Sequence, residues 1–259
     1  MKNYLLFAKK YFRILTFGGL HWFYSSLGQT FLVAIFVPFI KQDFEMSAVE
    51  FGSLYGLATL CSATLLPIVG RPVDYIRLRN YSLFVAILLA LACVVMATSG
   101  TMWQLFVGLL LLRLAGQGLM THTASTSIAR YFGKNRGKAL SLSLLGMPIA
   151  EATLPAFSYF LINNIGWEQT YLWFGLSCIV LFIPLTRLCV PKRSVFHHPK
   201  SKADGELEEA EEPGWTRLDV LKSPFFYMVL PSGLVAPFFI TALFFHADMF
   251  AEAKGWDVL

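Results

Sequence analysis

The sequence predicts an all-α polytopic membrane protein in which a six-helix bundle is followed by a seventh helix. Three observations support this fold class: an apolar composition, apolar blocks of transmembrane length, and basic residues confined to alternate loops. Of the 259 residues, 56% are hydrophobic and 14% are charged, and the mean hydropathy is +0.59. A soluble domain carries about 25% charged residues. Blocks of about 20 apolar residues match the ~30 Å hydrocarbon core of a bilayer.

The apolar blocks predict seven transmembrane spans, which cover 14–40, 51–69, 81–99, 103–129, 139–162, 170–190 and 224–250. Ser47 and Glu50 predict a capping box at the start of span 2, because each side chain can satisfy a backbone N–H of the first helical turn. Several spans contain proline, which membrane helices tolerate. The predicted bundle therefore covers residues 14–190, and residues 224–259 hold the seventh span.

The basic residues predict the orientation of the chain. With the N-terminus in the cytosol, 18 of the 21 Lys and Arg residues fall in inside segments, as expected for cytosolic loops. We therefore predict a multi-pass protein of the plasma (inner) membrane with a cytosolic N-terminus. This placement accounts for the net charge of +5 without a nucleic-acid partner.

Two segments outside the spans have distinct compositions. Residues 1–13 mix basic and aromatic residues and lack the apolar core and cleavage site of a signal peptide, so they predict an amphipathic segment on the cytosolic leaflet. Residues 191–223 begin basic and then become acidic with few aliphatic residues. This composition predicts a solvated, largely disordered cytosolic linker.

Several function classes lack their residues in this sequence. The four cysteines lie inside apolar blocks without the spacing of a metal or redox site, and no H-E-x-x-H motif is present. We therefore predict no metal, no cofactor and no enzymatic activity. A receptor-like seven-helix protein usually has its N-terminus outside, opposite to the charge count. A membrane subunit or receptor-like protein without transport of its own stays as the alternative function.

Local motifs resemble the major facilitator superfamily. The loop after span 2 is similar to the superfamily signature G-x-x-x-D-x-x-G-R-K/R, in which Gly70, Asp74 and Arg79 match, whereas Arg77 replaces the second glycine. The resemblance implies a gating motif at the cytosolic face, in which the aspartate and nearby arginines form a charge clamp. The segment from Arg113 to Gly118 resembles the fourth-helix pattern R-x-x-x-Q-G. Residues 130–140 resemble monocarboxylate-porter-like and oxalate/formate-antiporter-like members.

This resemblance implies secondary transport of a small solute by alternating access, with a proton as a candidate coupling ion. The family unit has twelve helices in two halves, with the substrate between them near the midplane. The chain stops just past span 7, so we expect residues 224–259 to begin a C-terminal bundle whose remainder is missing from this sequence.

Two opposite charges lie near the middle of consecutive spans, Arg113 in span 4 and Glu151 in span 5. A charge at this depth costs about 2.5–3.5 kcal/mol on insertion scales and is usually functional. One hypothesis is that Arg113 binds a substrate carboxylate, which favours an organic anion such as a monocarboxylate, or that Glu151 carries a coupling proton. The alternative is a structural Arg113–Glu151 ion pair.

Further polar residues lie in the spans. Gln117 is one turn from Arg113 and is predicted to share its cavity face. His21, Ser25, Gly28 and Gln29 form a polar stripe on span 1 that should face the interior of the bundle. His21 is a candidate proton site because imidazole titrates near neutral pH, with a hydrogen-bonded helix contact as the alternative. The predicted substrate-binding or coupling residues are Arg113, Glu151, Gln117, His21 and Gln29.

Overall fold

The computed structural model describes residues 2–190, 217–245, 250 and 254–255. The chain forms two compact units, Met1–His197 and His198–Leu259. The described residues form helices and turns and contain no strand. This architecture confirms the predicted all-α fold class.

Six helical stretches of the described chain are long and apolar enough to cross a membrane. They are Phe12–Asp43, Ala48–Asp74, Leu78–Ala97, Met102–Ile165, Trp167–Cys189 and Pro224–Phe244. The fourth stretch has 64 residues, which is about three times the length of one crossing. The chain turns within it at the short 3₁₀ helix Gly133–Asn135, and the helices on either side pack against each other. The stretch therefore holds predicted spans 4 and 5.

The α-helices of the first unit are numbered in chain order: α1 Lys2–Lys10, α2 Phe12–Ser25, α3 Thr30–Asp43, α4 Ala48–Val69, α5 Leu78–Ala97, α6 Met102–Leu112, α7 Thr121–Phe132, α8 Arg136–Leu144, α9 Gly146–Ile165, α10 Trp167–Ser177 and α11 Ile183–Cys189. Short 3₁₀ helices cover Ser26–Gly28, Arg71–Asp74 and Gly133–Asn135. Two π-helical segments, Arg113–Met120 and Cys178–Phe182, join α6 to α7 and α10 to α11.

Span 1 differs from the continuous helix that the sequence predicts. Its first half, α2, continues into the 3₁₀ helix Ser26–Gly28, and the backbone of Gln29 is then extended (φ −82°, ψ 150°) before α3 begins at Thr30. Serine and glycine are weak helix formers, and they occupy the break. Span 1 therefore consists of two half-helices with a helix end inside the bundle.

Span 1 also lies at the centre of the first unit, where glycines permit close backbone contacts. A Cβ atom at Gly116 would lie 2.7 Å from the amide nitrogen of Gly28, and one at Gly146 would overlap the carbonyl group of Gly19. Helix backbones approach this closely in membranes when small residues occupy the crossing. Glycine is therefore required where span 1 crosses spans 4 and 5.

The predicted capping box is confirmed at the start of α4. The Ser47 N–H donates to the Glu50 carboxylate at 2.8 Å, and the Glu50 N–H donates to the Ser47 hydroxyl at 3.2 Å. These two bonds satisfy backbone donors of the first turn and fix where span 2 begins.

The N-terminal segment contains the helix α1, which packs on the end of span 4. Phe7 and Tyr11 contact Phe132 with ring centroids 5.2 and 5.0 Å apart, and Lys138 donates to the Asn3 carbonyl at 2.8 Å. Leu5 and Leu6 are exposed on the other side of the helix. The two apolar faces suit a helix that lies between the protein and a bilayer surface.

The second unit contains α12, Arg217–Lys222, and α13, Pro224–Phe245. The helix α13 is apolar throughout and includes Pro231 and Pro237, as predicted for span 7. Most of the predicted linker, residues 191–216, lies outside the described residues.

Candidate functional site

The guanidinium group of Arg113 lies at the break in span 1. Its Nη1 atom donates to the Gly28 carbonyl at 3.1 Å and to the Thr30 hydroxyl at 3.3 Å. Gly28 is the last residue before the break, and the N–H groups of Leu32 and Val33 donate to the next carbonyl, that of Gln29. Arg113 therefore binds a carbonyl group at the end of the first half-helix.

Tyr55 of α4 completes the surroundings of Arg113. The Arg113 guanidinium carbon lies 5.1 Å from the centre of the Tyr55 ring, and the Tyr55 and Thr30 hydroxyl oxygens are 3.0 Å apart. Arg113, Thr30 and Tyr55 are all buried. A cation over an aromatic face is stabilised by about 0.5–2 kcal/mol, so the charge contacts a ring, the Thr30 hydroxyl group and a carbonyl. We call these four residues, Arg113, Gly28, Thr30 and Tyr55, the arginine cluster.

The partners of Arg113 in this cluster are neutral. No carboxylate of a described residue lies within ion-pair distance of the guanidinium group, and its buried Nε atom has no hydrogen-bond partner among the described residues. A buried charge usually has a counter-ion. Among the described residues, the positive charge of the arginine cluster is therefore not balanced by a carboxylate, and the Nε donor is unused.

The backbone around the cluster adds to this electrostatic character. The helix α3 begins at Thr30 beside Arg113, and the N-terminus of a helix carries partial positive charge. On the other side, the chain from Arg113 to Met120 is π-helical. Such wide turns frequently occur at functional sites. The π-helical segment also contains Gly116, which contacts Gly28 and thereby brings span 4 to the break.

Glu151 does not join the arginine cluster. It lies on α9 with an exposed side chain and forms no ion pair with Arg113. The structural Arg113–Glu151 pair considered from the sequence is therefore absent from the described residues. The carboxyl side chain of Glu151 lies on the surface of the first unit, on the same helix as the buried residues Ala150 and Leu154.

The two predicted glutamines lie close to the cluster along the chain. Gln29 occupies the break itself, between Gly28 and Thr30, and its side chain is half-buried. Gln117 is also half-buried and follows Gly116 in the π-helical segment. The backbone nitrogen of Gln117 is near Gly28. The structure thus brings Arg113, Gln29 and Gln117 to one region.

His21 lies apart from this region, between spans 1 and 3. Its Nδ1 atom is 2.8 Å from the Phe17 carbonyl, and its Nε2 atom is 3.0 Å from the Ser82 hydroxyl. Because a carbonyl accepts only, Nδ1 carries the hydrogen and Nε2 accepts from Ser82. The ring is fully buried, and these contacts correspond to the helix-contact alternative.

The predicted gating motif lies in the loop between spans 2 and 3. Gly70 caps α4, and Asp74 forms an ion pair with Arg130 at the end of α7. Arg77 and Arg79, which the sequence placed with Asp74, are exposed at the start of α5. An ion pair therefore joins this loop to the end of span 4, but its basic residue is Arg130 and not Arg77 or Arg79.

Sequence reasoning missed Thr30, Tyr55 and Arg130 as partners of the predicted site residues. Thr30 follows Gln29 within an apolar span, and Tyr55 is a phenol in the second turn of α4. Hydroxyl groups at such depth were the available signal, because they need hydrogen-bond partners in the absence of water. Among the described residues, no group of acidic, histidine and cysteine side chains could hold a metal ion.

Comparison with known proteins identifies relatives of the chain. The Major Facilitator Superfamily matches residues 22–259. The chain is 24% identical over 192 residues to monocarboxylate transporter 2 of Mesocricetus auratus, a match that covers 70% of this chain and 38% of the relative. It is 25% identical to monocarboxylate transporter 6 of Mus musculus over 60% of this chain and 34% of the relative.

A third relative shows the same pattern. Monocarboxylate transporter 11 of Mus musculus is 25% identical over 58% of this chain and 34% of the relative. The matched region thus spans little more than a third of the length of these curated relatives. No solved structure matches the chain significantly.

Proposed function

Because the chain belongs to the Major Facilitator Superfamily, we propose that it forms part of a secondary transporter that moves a small organic anion across a membrane. In this proposal the protein lies in the plasma (inner) membrane with its N-terminus in the cytosol, as the loop charges favour. The substrate binds near the midplane and is exposed to the two sides in turn.

The observation that carries the proposal is the charge balance of the arginine cluster. Arg113 is buried in the middle of a predicted span, and its partners among the described residues are a carbonyl, a hydroxyl group and an aromatic ring. A guanidinium group in a low-dielectric site binds a carboxylate strongly and can do so through two hydrogen bonds. A substrate carboxylate would supply the missing counter-charge.

One guanidinium group favours a substrate with one carboxylate. A monocarboxylate neutralises Arg113, whereas a dicarboxylate would bring a second charge that Arg113 cannot balance. The similarity to proteins named monocarboxylate transporters supports the same class. We therefore propose a monocarboxylate as the substrate, with Gln29 and Gln117 as polar side chains near its carboxylate.

Glu151 is the proposed site of proton coupling. Its carboxylate lies on the surface of the first unit, in the middle of predicted span 5, away from Arg113. A carboxyl group at this depth is costly when ionised. Protonation of Glu151 would therefore make the conformational change of the transporter less costly. This separation gives the anion and the proton different binding groups.

The experiment uses the product of the whole open reading frame that encodes these 259 residues, reconstituted in liposomes. Uptake of radiolabelled pyruvate is measured with acetate, succinate and pyruvamide as competitors. We expect saturable uptake that acetate inhibits and that succinate inhibits much less. Pyruvamide, which has the shape of pyruvate without its charge, should not compete.

Two outcomes would contradict the proposal. Equal inhibition by pyruvate and pyruvamide would show that substrate charge is not recognised. Absence of uptake of any organic anion by folded, reconstituted protein would favour the alternative, a membrane subunit or receptor-like seven-helix protein without transport of its own.

A further inference from the structure

A shallow groove lies between spans 3 and 6, at the end of the bundle that carries the basic loops. Arg79 near the start of α5 and Arg187 near the end of α11 both line it. The hydroxyl-bearing residues Ser82 and Thr186 contribute to the same wall. No residue of the arginine cluster lines this groove.

Among the described residues, no carboxylate balances the positive charge of the two arginines. Both side chains are exposed, and neither forms an ion pair with a described residue. The acidic side chain of Asp74 is instead paired with Arg130. No acidic residue of the described part of the chain lines the groove. The site is therefore suited to an anion with several oxygen acceptors, such as a phosphate group.

The position of the groove matches the headgroup level of a bilayer. The helix α5 has 20 residues, which corresponds to about 30 Å and one crossing of the hydrocarbon core. Arg79 is in its first turn, and Arg187 is in the last turn of α11. Both guanidinium groups therefore lie where lipid phosphates are found.

Apolar residues distinguish this groove from a site for free phosphate. Leu83 and Ile183 line it beside the arginines. Its surroundings on the two spans include Phe84, Leu185 and Leu188, which are 46%, 44% and 67% exposed. A free phosphate would gain nothing from these side chains, whereas the acyl chains of a lipid would cover them.

We propose that the groove between spans 3 and 6 binds the headgroup of an anionic glycerophospholipid, with Arg79 and Arg187 on its phosphate and Leu83 and Ile183 against its glycerol and upper acyl chains. Basic pockets between transmembrane helices at the membrane surface recognise lipids in this way. The inference depends on membrane insertion but not on the substrate or on transport activity.

The experiment measures lipid binding to the 259-residue chain purified in detergent. Short-chain phosphatidylglycerol, phosphatidylcholine of the same chain length and inorganic phosphate are titrated separately. Bound lipid is counted by native mass spectrometry, and thermal stability is recorded in parallel. We expect saturable binding of phosphatidylglycerol with a rise in melting temperature, and no comparable effect of the other two probes.

Two double variants remove equal charge from different places. Arg79→Gln with Arg187→Gln should weaken binding of phosphatidylglycerol about 25-fold, about fivefold for each arginine, as expected for basic side chains at an anionic bilayer surface. Arg71→Gln with Arg136→Gln, at exposed positions outside the groove, should leave the affinity within about twofold of the wild type.

Four outcomes would overturn the proposal: equal loss in both double variants, equal binding of phosphatidylcholine, an equal effect of inorganic phosphate, or no binding by the wild type. If the first double variant does not fold, the single variants Arg79→Gln and Arg187→Gln carry the test. Each should then lose about fivefold in affinity, and an unchanged affinity in both would overturn the assignment.

Discussion

Arg113 lies near the middle of span 4 and Arg130 lies just past the end of that span, and the two have opposite surroundings. Arg113 is buried and contacts a carbonyl, a hydroxyl group and an aromatic ring, whereas Arg130 is 43% exposed and pairs with the Asp74 carboxylate. The two are separated by roughly 25 Å of helix at about 1.5 Å per residue. One arginine lies within the bundle, and the other lies at its basic end.

The difference separates two uses of the same side chain. An exposed ion pair contributes about 0–1 kcal/mol, because water and salt screen its charges. A charge in the low-dielectric interior interacts far more strongly, and Arg113 is not balanced by a carboxylate among the described residues. Arg130 therefore joins a loop to a helix end, whereas Arg113 is the residue that we propose binds the anion.

The largest structural effect is expected from Gly116→Ala. The added Cβ would lie 2.7 and 2.8 Å from the amide nitrogen and Cα of Gly28, so spans 1 and 4 must separate and the Gly28 carbonyl must move away from Arg113. We expect a loss of about 3 kcal/mol in stability, measured as a lower melting temperature in detergent.

Gly137→Ala is the matched control for this variant. A Cβ at Gly137 meets no atom within 4 Å, and alanine is the better helix former by about 1 kcal/mol. The control should be as stable as the wild type or more stable. An unchanged melting temperature in Gly116→Ala would contradict the close crossing that builds the arginine cluster.

Glu151→Gln tests whether anion binding and proton coupling use separate groups. For a symporter of one proton, a gradient of one pH unit supports about tenfold accumulation, which corresponds to about 1.4 kcal/mol. We expect the variant to lose this accumulation and to keep exchange of labelled for unlabelled monocarboxylate. Glu168→Gln, at an exposed site at the start of α10, should keep both activities. Loss of exchange in Glu151→Gln would place Glu151 in anion binding.

Tyr55→Phe and Tyr55→Leu separate the contribution of the Tyr55 hydroxyl group from that of its ring. Phenylalanine keeps the ring beneath Arg113 but removes the hydroxyl group near Thr30, and we expect about a fivefold loss of substrate affinity, the value of one hydrogen bond. Leucine also removes the ring and should lower affinity further, by about 0.5–2 kcal/mol. Equal affinities for the two variants would show that the ring does not support the charge.

The smallest effect concerns the Asp74–Arg130 pair. A double-mutant cycle with Asp74→Asn and Arg130→Gln should give a coupling energy below about 1 kcal/mol in thermal stability, and high salt should reduce it further. A coupling of several kcal/mol would remove the contrast between the two arginines. Arg77→Gln combined with Asp74→Asn is the comparison pair and should show no coupling.

Local rules predicted the helices well. The spans followed from the length of apolar blocks, and Ser47 and Glu50 were recognised because a capping box depends on four consecutive residues. Arg113 was recognised because a charge inside an apolar block is costly wherever the chain folds. Membership of the superfamily confirms the fold class and the prediction that the chain is not an enzyme.

The contacts of the site depend on packing between distant segments, which local rules do not contain. The break at Gln29 lies next to the close approach of Gly28 to Gly116, and Tyr55 reaches Arg113 from another span. Likewise, nothing near Asp74 in the sequence distinguishes Arg130 from Arg77 as its partner. The sequence therefore indicated Arg113 as the main candidate site residue but not the residues that surround it.

The most direct test of the account is monocarboxylate uptake by Arg113→Gln in the product of the whole open reading frame. Glutamine keeps a hydrogen-bond donor but removes the charge, so we expect uptake to fall about 100-fold, the value of one charge-assisted interaction. The break in span 1 should persist, with membrane abundance and melting temperature close to those of Arg136→Gln, an exposed control. Normal uptake by Arg113→Gln would contradict the account, as would a loss of uptake fully explained by loss of folded protein.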